Sequence, residues 1–176
     1  MESGNTMRGG FLFFLTLLLL LALVAAANHA LAHLHIYLFA GGLFAGTAAF
    51  LLPFGPGFAA VFASGLACDA NAGVPFGTHA LLFASVHAIL FHFRDRLPHD
   101  LAAGRVLICL ACNLALFLAL TVQRAFLSPA PASEGYRVAC DFVFSQVAIA
   151  VAGPWFYRLQ RRALALARAE PAQSLL

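Results

Sequence analysis

The chain contains no lysine: all ten of its basic residues are arginine, set against seven acidic residues in 176. Charged residues of both signs make up 10% of the chain, against about 25% in a typical soluble domain. No polar stretch is long enough to fold as a separate water-soluble domain. The net charge of +3 is small, and no basic cluster precedes an aromatic platform, so nucleic acid is not an expected partner. The all-arginine usage reads as compositional bias, not as a recognition signal. Also missing are an H-E-x-x-H zinc motif, a glycine-rich phosphate loop and a conventional nucleophile motif. These absences argue against an enzyme, and no cofactor is expected.

What the chain has in abundance is hydrocarbon. It is 62% apolar with a mean hydropathy of +0.90. Six apolar runs stand out, at residues 11–27, 36–52, 56–70, 78–93, 101–124 and 138–157. The first is uncharged over 17 residues, a helical length of about 25 Å. Backbone groups in lipid must be satisfied within the segment, so the runs are expected as helices, not strands. The fold class that follows is an all-α integral membrane protein, a single domain over residues 1–176 forming a compact bundle of about six transmembrane helices. Pro53-Phe54-Gly55-Pro56-Gly57 reads as a tight turn, Arg94-Asp95-Arg96 opens a charged loop, and residues 128–137 form a longer one. Threading six spans from a cytoplasmic N-terminus puts Arg8, Arg94, Arg96, Arg105, Arg158, Arg161, Arg162 and Arg168 inside. Only Arg124 and Arg137 fall outside. Eight against two is a positive-inside bias, and it places both termini in the cytoplasm. Residues 158–176 read as a cytoplasmic amphipathic tail that continues the sixth run as a helix and is drawn to anionic lipid. Arg8 followed by an apolar run and Ala25-Ala26-Ala27 also resembles a signal peptide. The run exceeds the roughly 7–15 residues of such a core, and a retained span is expected.

The most informative stretch is the polar break at residues 65–82, which the threading turns outward. A carboxylate there is costly to place at a membrane boundary, which marks Asp69. Asp69 either caps a turn or short helix, or meets a partner or neighbouring helix. Gly73 and Gly77 are expected to supply positive φ or close backbone approach, and Pro75 to fix the turn before the fourth run. Asp141 falls at a similar depth, and a cysteine precedes each carboxylate, Cys68 and Cys140. A Cys68–Cys140 disulfide, a polar pocket shared by the carboxylates, a shared arginine such as Arg137, and simple contact of Asp141 with water all remain open. His79 and His87 lie roughly 80° apart on a helical wheel and could face the bundle together. Converging ligands with ordered partners would be needed for metal or haem, and hydrogen bonding between helices is the plainer reading. Loop residues His29, His33 and His35 read as solvated. Cys109 and Cys112, in an apolar helix, read as small hydrophobes, and Asn113 and Gln123 as hydrogen-bond glue between helices. Gly42-x-x-x-Gly46 marks a close helix–helix face.

Gly65, Leu66, Asp69, Gly73, Pro75 and Gly77, followed by Ala80-Leu81-Leu82 and Arg94/Arg96, resemble the rod shape-determining protein MreD family. The shared pattern is a Gly-Leu-x-x-Asp turn, then Gly-x-Pro-x-Gly and an apolar helix ending in arginines. It covers residues 65–96, and the remainder is similar in size and hydropathy. The resemblance implies a non-enzymatic subunit of the bacterial elongation machinery in the inner membrane. Its implied partners are an MreC-like bitopic protein and, through it, the MreB filament and the cell-wall synthases. It implies no catalytic residues. More distantly, the chain resembles the substrate-binding subunits of energy-coupling vitamin transporters, which would imply an outward solute pocket near Asp69, Asp141 and the histidines of the fourth run.

Overall fold

The computed structural model describes residues 2–97, 101–127 and 135–169. Six α-helices follow in order: α1 Glu2–Leu31, α2 Gly41–Leu51, α3 Phe54–Asp69, α4 Thr78–Phe93, α5 Ala102–Leu127 and α6 Gly135–Ala169. No strand occurs among the described residues. Three segments are long and apolar enough to cross a membrane: Met7–Leu34, Ala102–Phe126 and Gly135–Leu166.

The bundle is arranged around its shortest helix. Residues 41–49 of α2 are all buried, and α2 packs on α3, α4, α5 and α6. A helix apolar on every side belongs in such a position. This corrects the expectation of a span over residues 36–52. The helix covers only Gly41–Leu51, about 16 Å, and residues 36–40 are non-helical. The tight turn expected at residues 53–57 is corrected too. Helix α3 starts at Phe54, with Pro53 before it at φ −60°. Pro56 sits in the first turn, where a helix tolerates the missing N–H. Helices α3 and α4 each have 16 residues, about 24 Å.

Helix α6 is continuous for 35 residues with Pro154 inside it. The tail continues this helix, as expected, to Ala169. Phe156, Gln160 and Leu164, one turn apart, are buried and face α1. Thr16 Oγ1 donates to Gln160 Oε1 at 2.7 Å, and Leu164 approaches Gly9. Residues 170–176 of the tail, and residues 128–134 of the long loop, lie outside the described residues. Helix α1 runs unbroken through Ala25-Ala26-Ala27 and contributes the fully buried Phe13 and Leu17 to the core.

The distribution of polarity is the reverse of a soluble protein. Phe11, Leu15, Leu19 and Leu23 form an exposed stripe on α1, and Val143, Val147, Val151 and Trp155 an exposed face of α6. The interior holds Thr47, Ser64, Asp69, His79, His87, Asn113, Asp141, Ser145 and Gln160. Charges sort to the ends. The Arg105 guanidinium lies 4.4 Å from the Tyr157 ring centre, beside Arg158, and Arg94 lies 4.1 Å from the Phe91 ring centre. At the opposite end Arg124, Arg137, Asp141 and His79 share one cavity.

Two glycines set how closely helices approach. A Cβ on Gly42 would strike the Cys109 carbonyl of α5 and stand 2.7 Å from Asn113 Cβ. The small-residue face of α2, Gly42 and Gly46, is thus used inside the bundle against Cys109. A Cβ on Gly65 would strike Ala80 Cα and stand 2.6 Å from Ala80 N, so α3 and the start of α4 meet backbone to backbone. Gly65→Ala is expected to lower stability by about 1–3 kcal/mol, outweighing about 1 kcal/mol of helix propensity gained. Gly73, with nothing within 4 Å of an added Cβ, should tolerate alanine within about 0.5 kcal/mol. Thermal unfolding in mild detergent compares the two; equal midpoints would remove the close-approach argument.

Candidate functional site

Helix α4 begins at a half-buried turn, and the N–H groups of the buried His79 and Ala80 in its first turn need acceptors. Its N-cap is Gly77, in the left-handed region at φ 95° and without a capping side chain of its own. Asp69, the last residue of α3, supplies the cap from across the turn. Its Oδ1 accepts from His79 N at 2.9 Å, and its Oδ2 from Ala80 N at 3.2 Å and Gly77 N at 3.0 Å. The other two amides of the first turn are also paired, Thr78 N with Pro75 O and Leu81 N with Gly77 O. His79 Nδ1 donates to Asp69 Oδ1 at 2.8 Å, which leaves Nε2 as the ring nitrogen not held by the carboxylate. Asp69 is 4% exposed, so its charge acts on the positive end of the α4 dipole and on His79.

A second break, at residues 36–40, is held by side chains in the same manner. After His35, in the left-handed region at φ 57°, the chain crosses the bundle as a strap. Tyr37 N donates to Asp141 Oδ1 at 2.8 Å. Asn28 of α1 grips Leu38 at both polar groups, accepting from its N–H at 2.7 Å and donating to its carbonyl at 3.0 Å. Phe39 N donates to Ser145 Oγ at 2.9 Å, and Ser145 donates onward to the Asp141 carbonyl. Asn113 of α5 then accepts from Gly42 N at 3.1 Å, capping α2. Irregular backbone in an apolar bundle persists only with such partners.

Two cavities flank the strap. One, of about 100 Å³, lies between the strap, α4, α5 and α6, and is lined by Tyr37, Phe39, His79, Thr121, Arg124, Arg137 and Asp141 among others. The other, of about 260 Å³, lies on the α1 and α3 side and includes Asn28, Tyr37, Phe39, Cys68 and His79. Comparison of the chain with protein-family models, curated proteins and solved structures found no match. The chemistry of this end of the molecule is therefore read from its own residues.

Of the residues marked in the sequence, Gly65, Asp69, Pro75 and Gly77 come together at the α3–α4 junction. Gly73 does not share in it: its φ is not positive and it makes no close approach, because the turn places its left-handed residue at Gly77. The two carboxylates do not share a pocket. Asp141 and Arg137 line the smaller cavity, and Asp69 reaches it only through His79. The four cysteines are unbridged. His79 and His87 both face inward as expected, with His87 fully buried and its ring stacked on Phe54. Asn113 pairs with Gly42, and Gln123 Nε2 donates to Thr78 Oγ1 at 3.2 Å. The strap anchors Asn28 and Ser145 were not marked. Their signal was present, since Asn28 interrupts an apolar run and Ser145 lies one turn after Asp141.

Asp69→Asn keeps one acceptor oxygen and turns an NH₂ toward backbone donors. We expect it to lower stability by about 2–5 kcal/mol, while Asn71→Ala, exposed on the same turn, changes it by about 0.5 kcal/mol or less. Unfolding midpoints in detergent check this; an unchanged midpoint for Asp69→Asn would mean the cap contributes little.

Proposed function

We propose that the chain is a polytopic protein of the bacterial inner membrane and a non-enzymatic subunit of the rod, or elongation, complex. An apolar exterior around a polar interior supports the membrane setting. Two further helices, α3 and α4, complete the crossing with strap and α2, and both termini lie in the cytoplasm by the arginine bias. The observation that supports the family reading is that four residues of the MreD-like pattern, Gly65, Asp69, Pro75 and Gly77, build one junction, although Gly73 of the same pattern does not join it. Because the Asp69 carboxylate is buried and fully engaged, its role in this reading is to hold α3 and α4 in a fixed relation behind a partner surface. The partner is an MreC-like bitopic protein, which would link the chain to the MreB filament and the cell-wall synthases and so to cell shape.

A second reading is favoured by one observation, the charged cavity beside the strap. In that reading the chain is a small-solute-binding membrane subunit of the energy-coupling transporter type.

Two measurements address the first reading. Fused at the C-terminus, green fluorescent protein is expected to fluoresce and alkaline phosphatase to be inactive; the reverse pattern would overturn the orientation. Coexpressed with the MreC-like protein of the same organism and purified in mild detergent, the chain is expected to co-elute with it. Recovery of each protein alone, both inserted and folded, would remove the scaffold reading.

A further inference from the structure

We infer that the cavity between the strap, α4, α5 and α6 binds a small zwitterion of the amino-acid class. The inference rests on the second reading above, that this end of the bundle takes a solute, and names the solute's chemistry. Charges of both signs face the cavity. Asp141 on α6 is 9% exposed and has one oxygen engaged by Tyr37 N–H. Arg124 on α5 brings the positive charge; Arg137, one turn before Asp141 on α6, also lines the cavity but is already engaged. A bare anion would meet the carboxylate, and a bare cation would meet the Arg124 guanidinium. A solute with one carboxylate and one ammonium satisfies both, with arginine the side chain best shaped to bind a carboxylate.

Size narrows the class. A cavity of roughly 150 Å³ holds benzene, so about 100 Å³ admits a solute of the size of glycine or alanine. Phe39 and Phe117, with ring centres 6.2 Å apart, give the apolar wall on which a short aliphatic body would rest. The strap is part of the site. Tyr37 and Phe39 of the strap line the cavity, and the Asp141 oxygen not taken by Tyr37 N–H is the one an ammonium would meet.

The test is thermal unfolding of the full chain in detergent with millimolar alanine, propionate, ethylamine or thiamine. A ligand that binds only the folded state raises the midpoint. Alanine is expected to raise it by several degrees, and propionate and ethylamine to leave it unchanged. Arg124→Gln, at an exposed position, should fold as wild type and abolish the alanine shift. Asp141→Asn keeps an acceptor for Tyr37 N–H, removes the charge, and should also abolish it. Equal shifts with propionate, or an alanine shift surviving both variants, would overturn the proposal. A shift with thiamine alone, lost in Arg124→Gln, would overturn the amino-acid class and leave the solute reading standing. No shift with any probe would overturn the amino-acid class.

Discussion

The Asp69 carboxylate at the start of α4 is the interaction on which the Asp69 end of the bundle depends. The His79 and Ala80 amides in the first turn of α4 are buried, and a buried N–H left unpaired costs about 1–3 kcal/mol. Gly77 gives the left-handed turn but has no side chain to cap with. A carboxylate from the preceding helix removes the conflict, and it does so only if α3 comes close. Gly65 permits that approach, one turn below Asp69 on the same face. Junction, cap and close packing are thus one device, and no part of it works without the others.

The same constraint recurs at the strap, answered by different residues. Residues 36–40 cannot use intrahelical bonds, so Asn28, Asp141 and Ser145 bind their amides and Asn113 binds that of Gly42. These partners come from α1, α5 and α6, so the strap ties together helices that are distant in sequence. It also explains why α2 can be short. The strap covers the height that the helix does not, and α2 is free to be the fully buried centre of the bundle. Small residues on α2 then let α5 approach to backbone distance. Much of the polar interior therefore serves backbone groups, with side-chain pairs such as Thr16–Gln160 and Asp69–His79 beside them.

Much of this was legible in sequence, and the exceptions are physical. Residues 78–93 were expected as a helix and are one, because Gly77 and Arg94 bound an unbroken apolar run. The count of six helices also follows from the runs. Residues 36–40 misled because Ile36, Tyr37, Leu38 and Phe39 are as apolar as any span, and hydropathy cannot register a backbone held by Asn28 or Asp141. Pro53 to Gly57 misled because proline in a first helical turn looks the same in sequence as proline in a loop. The tail continues the sixth helix as expected, but its packing was not legible, because the partner of Phe156, Gln160 and Leu164 is α1, about 150 positions away. Asp69 was marked as a cap or a contact, and its donors at the start of α4 make it both a cap and a contact between neighbouring helices. Gly73 was paired with Gly77 by type, whereas only one residue of that turn needs positive φ.

His79 joins the two devices. Asp69 holds its Nδ1, and its ring lies beside Phe39 of the strap and Phe83 of α4, with centres 6.4 and 5.8 Å away. The same ring lines both cavities. Its position is therefore set jointly by the α3–α4 junction and by the strap, and a change at either must be accommodated at this residue. A scaffold that presents a fixed surface and a receptor that closes on a solute make the same demand here. Each needs the strap and the junction held in one relation, and a buried imidazole clamped by a carboxylate and packed between aromatic rings meets that demand.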